Sequence, residues 1–173
     1  SMGKTALATN IAYNAARRCR RAPGANGQLK TEEGAVVAFY SLEMSADQLA
    51  TRVLADIADV PSDKIRRGEI TGRDYENIRE AASQLENLPI YIDDTGGISI
   101  SQLAARARRQ QRMYGLDLMV VDYLQLITTT GGGRYDNRVQ EVTTITKALK
   151  ALAKELQIPV IALSQLSRQV ENR

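Results

Sequence analysis

Histidine is absent from all 173 residues, and that one absence removes several chemistries. Neither a Ser-His-Asp triad nor a histidine-ligated zinc site can exist, so any general base must be a carboxylate, a lysine, a tyrosine or the single thiol. That thiol, Cys19, is alone; an internal disulfide is excluded, and a reducing compartment is the expected setting. Apolar runs are short. Even LMVVDYLQLI is broken by Asp122, so no membrane-crossing helix is expected. No signal-peptide pattern is visible, which makes the cytoplasm the expected location. Aromatic residues are 5% of the chain, which gives base stacking little weight. The net charge of +3 is too mild to point to nucleic acid by itself.

What is present is the material of one globular domain over residues 1–173, 43% hydrophobic and 25% charged. Segments of helical and strand character alternate. The spacing of Leu7, Ile11 and Ala15 predicts one face of a helix over 4–19. AVVAFY (35–40) reads as a buried strand ending at Ser41. Ser45 with Gln48 forms a capping box, and Leu49, Val53 and Ile57 follow at helical spacing. Thr71 and Asp74 mark a second helix start, with Ile70 and Tyr75 as a hydrophobic staple and Ile78, Ala82 and Leu85 on its face. LPIYID (88–93) is a short strand, a helix is expected from about Ser99 to Met113, and LDLMVVD (116–122) is the next strand. Val139, Val142, Ile145, Leu149, Leu152 and Leu156 form one helical stripe. Pro159 ends that helix and opens the strand VIALS. The segments 22–34 and 128–133 read as loops. Strands separated by helices predict an α/β fold with a doubly wound, mainly parallel sheet.

On that frame, four stretches carry chemistry. Gly3-Lys4-Thr5 before a helix is the second half of G-x-x-x-x-G-K-[ST]; the first glycine of the full pattern would precede residue 1. In such a loop the glycine admits backbone N–H groups to phosphate, Lys4 bridges the terminal phosphates and the Thr5 hydroxyl meets Mg²⁺. A chance G-K-T at a helix start is the plain alternative. LMVVDY ends a strand in Asp122, at the edge where doubly wound sheets bind ligands, in position to hold Mg²⁺ through water. The two motifs in this order point to a nucleoside triphosphatase. Glu43, just past the strand before it, is placed to polarise an attacking water; favouring the dipole of the following helix is its other reading. Gln165 follows the last strand, where its amide would bond a γ-phosphate or would simply be solvated.

SMGKTALATNIA, YSLEMS, VDYLQLI, NRVQEV and PVIALSQLSRQVE resemble, over nearly the whole chain, the RecA-like motor domain of DnaB-type bacterial replicative helicases. The resemblance implies Lys4 and Thr5 as Walker A residues, with Ser1, Gly3 and Ala6 completing the nucleotide-binding loop. It implies Glu43 as catalytic glutamate, Asp122 as Walker B, Gln165 as γ-phosphate sensor and Arg52 as an arginine of the nucleotide pocket. It further implies ATP and Mg²⁺, a homohexamer, single-stranded DNA, and a primase and a helicase loader as partners. The activity it implies is ATP-driven translocation on single-stranded DNA with duplex unwinding. A RecA-like ATP-binding switch or a recombinase-type module is the alternative.

The loop after Asp122 carries Arg134 and Arg138, which the resemblance places toward DNA phosphates; Tyr135 lies between them. Arg108, Arg109 and Arg112 form a stripe that reads as a solvated face or a subunit contact. Residues 17–34 are longer than the family's usual connection and read as a solvated insertion or a patch for DNA or a partner. The family's N-terminal domain, the strand feeding the loop, the trans-acting arginine finger and the main DNA-gripping loop are expected outside residues 1–173. The isolated segment is therefore expected to bind nucleotide weakly and to hydrolyse it poorly.

Overall fold

A computed structural model describes residues 3–25, 27–129 and 138–165. In chain order its helices are α1 (Lys4–Arg17), α2 (Ala46–Ala58), α3 (Ser62–Arg67), α4 (Gly72–Glu86), α5 (Ile100–Tyr114) and α6 (Arg138–Leu156). Its strands are β1 (Arg20–Pro23), β2 (Leu29–Glu33), β3 (Val37–Ser41), β4 (Ile90–Asp93), β5 (Leu118–Asp122) and β6 (Val160–Ala162). Four of them form one sheet in the order β4-β3-β5-β6, every pair parallel. A parallel sheet has both faces covered, which is why every residue of β3 and of β5 is buried. Alternate residues serve opposite layers: Val37, Phe39, Leu118 and Val120 pack with α1 and Leu49 of α2. Ala38, Tyr40, Met119 and Val121 pack with Leu103 of α5 and Ile145, Leu149 and Leu152 of α6.

Local signals set the helix ends. Ser45–Gln48 forms the expected reciprocal capping box, Thr71 caps α4 as expected with Asp74 making that cap reciprocal too, and Ser99–Gln102 forms a third at α5. Each satisfies N–H groups that a helix start leaves without intrahelical partners. The staple does not follow, since Tyr75 is 58% exposed. On α4 it is Ala81, not Ala82, that is buried, in a cluster with Ala58 and Val60 and flanked by Ile78.

Other expectations are corrected as well. The buried face of α1 is Ala8, Ala12 and Ala16, whereas Leu7 is 65% and Ile11 40% exposed. The helix lies on the sheet through its smallest side chains, which lets the two backbones approach closely, and the larger ones are turned one position round the helix. The stretch 22–34 is not a plain loop: β1 and β2 pair antiparallel as a separate two-stranded sheet. Arg20 there pairs with Glu33 at 3.1 Å. The Arg21 guanidinium lies over Gly115, where a Cβ would come within 2.8 Å of it. On α6, Val139 is 67% exposed while Ile145, Leu149, Leu152 and Leu156 are buried as the stripe predicts. The 3₁₀ turn Leu124–Leu126 and the short α3 are too brief to leave a periodic signal in the sequence.

Candidate active site

The C-terminal ends of the parallel strands form one edge of the sheet, and α1 starts at that edge. Gly3 stands just before α1 with φ 73°, ψ 12°, a left-handed conformation that favours glycine. Lys4 opens the helix, half-buried, and its ammonium has no ion pair among the described residues. Thr5 follows and reaches across 117 positions of sequence: its hydroxyl donates to Oδ2 of Asp122 at 2.6 Å. The carbonyl of Thr5 in turn accepts from the buried Thr9 hydroxyl at 2.7 Å.

Asp122 is 3% exposed, the only carboxylate among the buried polar residues described. The strand register puts it beside Ser41. Its carbonyl accepts from the Leu42 N–H at 2.8 Å, which fixes the exit of β3 against the exit of β5. One residue further along that exit is Glu43, exposed, its carboxylate without hydrogen bond or ion pair among the described residues. The start of α2 is served by others. Gln48 N–H donates to Ser45 Oγ, Ser45 N–H to Gln48 Oε1, and Ala46 N–H to Asp94 Oδ2. Helix capping thus leaves Glu43 unoccupied.

The tip of β6 is joined to the same edge. Leu124 N–H donates to the Leu163 carbonyl at 2.9 Å. Gln125, which no sequence motif marks for this role, holds the next residues. Its Nε2 donates to Ser164 Oγ at 2.9 Å and to the Gln165 carbonyl at 3.0 Å, and its Oε1 accepts from Gln165 N–H at 3.3 Å. The side chain of Gln165 is exposed. At the opposite edge strand, burial would raise the Asp93 carboxyl. Hydrogen bonds from Arg106 and Thr95 outweigh it and hold that group below its ordinary value.

The structure therefore brings Gly3, Lys4, Thr5, Asp122, Glu43 and Gln165 to one sheet edge. Ala6 is on the exposed side of the first turn of α1. Arg52 is not drawn to Thr5 or Asp122: it lines a groove of about 600 Å³ between α2 and α3 with Met44, Gln48, Ser62 and Arg66. Ser1, Arg134, Tyr135 and the side chain of Arg138 lie outside the described residues. Of the arginine stripe, Arg108 is committed to Glu155 of α6 through two bonds of 2.6 and 2.8 Å.

Thr5 and Asp122 suit a divalent cation of the magnesium type. Such an ion takes oxygen ligands, keeps several waters and needs only one or two protein groups besides phosphate. A hydroxyl has one proton and two lone pairs. With its proton given to Asp122, Thr5 keeps its lone pairs for a cation. Among the described residues there is no group of three acidic, cysteine or histidine side chains able to cage a metal without help.

A parallel sheet in this order, with a left-handed glycine, a lysine and a threonine opening the helix beside a strand-end aspartate, is a RecA-like α/β core. The chain belongs to the DnaB-like helicase C-terminal domain family, whose description matches residues 1–173. It is 47% identical over 173 residues to the replicative DNA helicase DnaB of Rickettsia felis, covering 100% of this chain and 34% of that protein. To the replicative DNA helicase DnaC of Bacillus subtilis it is 46% identical, with 100% and 35% covered. The chain thus spans about a third of the length of these relatives. Among solved structures it is similar to one described as an ATPase domain, with TM-score 0.82, 32% identity, and 100% of this chain and 56% of that one covered. It is also similar to a DnaB-like replicative helicase described with its interactions with primase, with TM-score 0.73, 33% identity, and 80% and 33% covered.

Proposed function

We propose that this domain is the motor core of a replicative helicase, binding ATP with Mg²⁺ and coupling its hydrolysis to translocation on single-stranded DNA and duplex unwinding. The observation that carries the reading is the 2.6 Å bond between Thr5 and Asp122, which joins the start of the phosphate-facing helix to the strand-end carboxylate. In this reading Thr5 and Asp122 would hold the Mg²⁺, which would supply neutralising charge at the phosphates. The left-handed Gly3 clears room for phosphate oxygens against backbone N–H groups, Ser1 and Ala6 complete that loop, and Lys4 adds a point charge. Glu43, unpaired among the described residues and exposed, accepts a proton from the attacking water. The Gln165 amide bonds the terminal phosphate. Arg52 contributes to the nucleotide pocket from α2, and Arg134 and Arg138 meet DNA phosphates.

The working form is a homohexamer in the cytoplasm, with nucleotide between subunits and with primase and a loader as partners. Family membership supports this, as does the neighbour described with primase. No described helix is long and apolar enough to cross a membrane. The test is a pair of substitutions in the full-length protein. Lys4→Ala should remove most ATP affinity, and Glu43→Gln should keep affinity while turnover with single-stranded DNA falls on the order of 100-fold, as for a lost general base. Unchanged ATP affinity in Lys4→Ala, measured by calorimetry, defeats the phosphate-loop assignment. Wild-type turnover in Glu43→Gln removes Glu43 from the mechanism, and no ATP turnover by the unmutated full-length protein, with or without single-stranded DNA, favours an ATP-binding switch instead.

A further inference from the structure

The ladder between β5 and β6 does not stop where the strands end. Leu163 N–H donates to the Val121 carbonyl and Leu124 N–H to the Leu163 carbonyl, both at 2.9 Å. Beyond Leu163 no backbone partner among the described residues continues the pairing, because the chain after Asp122 turns into the 3₁₀ segment Leu124–Leu126. The Gln125 amide takes over. It accepts from the N–H and donates to the carbonyl of the same residue, Gln165, and donates as well to Ser164 Oγ. A primary amide is the side-chain group that can both donate and accept in this way, mimicking one more peptide of a strand.

We infer that Gln125 is a positioning residue: its amide clips the Gln165 backbone to the exit of β5 and so sets where the Gln165 side chain meets a terminal phosphate. This rests on the reading of Gln165 as the γ-phosphate sensor. In this role Gln125 acts through Gln165 and not on the phosphate. It stands three residues after Asp122, so the sensor and the metal-facing carboxylate are referenced to one rigid turn. Misplacing a binding group by an ångström is costly when the group must meet one atom of the ligand. The effect should therefore fall on the nucleotide that has the γ-phosphate and spare the one that lacks it.

The experiment compares Gln125→Met, Gln125→Glu and Gln165→Met in the full-length protein. Affinities for a non-hydrolysable ATP analogue and for ADP are measured by calorimetry, and turnover with and without single-stranded DNA is measured alongside. Methionine keeps the length and loses every bond. Glutamate keeps the acceptor for Gln165 N–H and loses the donors. Gln125→Met should reduce the preference for the ATP analogue over ADP by roughly tenfold, the scale of one or two lost net hydrogen bonds. Its ADP affinity and melting temperature should stay near wild type, and Gln125→Glu should fall between. Combined with Gln165→Met, it should add little. A merely structural role would lower ADP affinity and melting temperature together, and that result overturns the inference. Loss of discrimination in Gln165→Met with full discrimination in Gln125→Met defeats the inference alone. Full discrimination in Gln165→Met defeats the sensor reading and the inference with it.

Discussion

Replacing Thr5 by valine removes one hydroxyl and nothing else of consequence. Valine has the same branched shape and nearly the same helix propensity. The lost bond is of the strong kind: an O–H donor to a carboxylate at 2.6 Å, inside the range of charge-assisted hydrogen bonds. Its acceptor, at 3% exposure, is poorly placed to take water in exchange. Hydrogen bonds to charged groups contribute about 1.5–3 kcal/mol, and Thr5 is only half-buried, so about 2 kcal/mol is expected. For a chain of this size that corresponds to a fall of roughly 4–8 °C in melting temperature.

Two comparisons make the number interpretable. Thr5→Ser keeps the hydroxyl and should stay within about 1 kcal/mol of wild type. In an Asp122→Asn background the acceptor is neutral, so Thr5→Val should cost about 1 kcal/mol less than it does in wild type. Denaturant melts of wild type, Thr5→Val, Asp122→Asn and the double variant give the coupling. If Thr5→Val matches Thr5→Ser to within about 0.5 kcal/mol, or costs the same in both backgrounds, the bond is incidental. The proposed cation site would then lose its structural basis. The same variants should separate in metal titrations, with Thr5→Val needing more Mg²⁺ for nucleotide binding and Thr5→Ser behaving as wild type.

Gly34→Ala should be far more damaging than Gly27→Ala, although both glycines have φ in the left-handed region, +70° and +76°. A Cβ on Gly34 would sit 2.4 Å from backbone atoms of Arg18 and Cys19, whereas Gly27 has open space; losses of at least about 2 kcal/mol and of about 1 kcal/mol are expected from thermal melts. Asp93, held below its ordinary carboxyl range in the fold, contributes stability that is complete above its unfolded value near 4 and is lost as pH falls through the lower folded one. Melts at about pH 2 to 6 should show a decline in that acid window which Arg106→Gln lessens, with Thr95 still bonding the carboxylate; an identical profile in both proteins refutes it.

What the sequence disclosed about this fold was local in origin. The capping boxes at Ser45 and Thr71 depend on residues three apart, so reading four letters suffices. The strands β3 and β5 were legible because both faces are covered and the runs are continuously apolar. Which face of α1 turns inward was not, because Ala8, Ala12 and Ala16 carry weaker hydrophobic signals than Leu7 and Ile11. Close contact with Val37 and Phe39 selects small size over hydrophobicity there. The β1–β2 hairpin escaped notice for another reason. Both strands are mostly exposed, rich in Arg, Lys and Glu, and show no alternation of period two. At the site, the residue types of Lys4, Thr5 and Asp122 were readable from their motifs. The bond between two of them spans 117 positions, a distance that no local pattern encodes.

The strand ends show why these chemical groups converge. At the C-terminal edge of a parallel sheet each strand leaves backbone groups without a ladder partner, and near the core those groups need hydrogen bonds. Here neighbouring tips serve one another in sequence. Asp94, after β4, takes the Ala46 N–H that follows β3. Leu42, after β3, gives its N–H to Asp122 at the end of β5. Gln125, after β5, holds Gln165 beyond β6. Thr5 ties the helix start to the middle of that row. The strand tips and the helix are therefore linked through bonds that already exist to complete the fold. A ligand that moves any one tip must strain its neighbours. The side chains left over from this cross-linking, Lys4 and Glu43, are without partners among the described residues. Their charges stand at the edge where the row is rigid, which is where a charged substrate gains most from fixed groups.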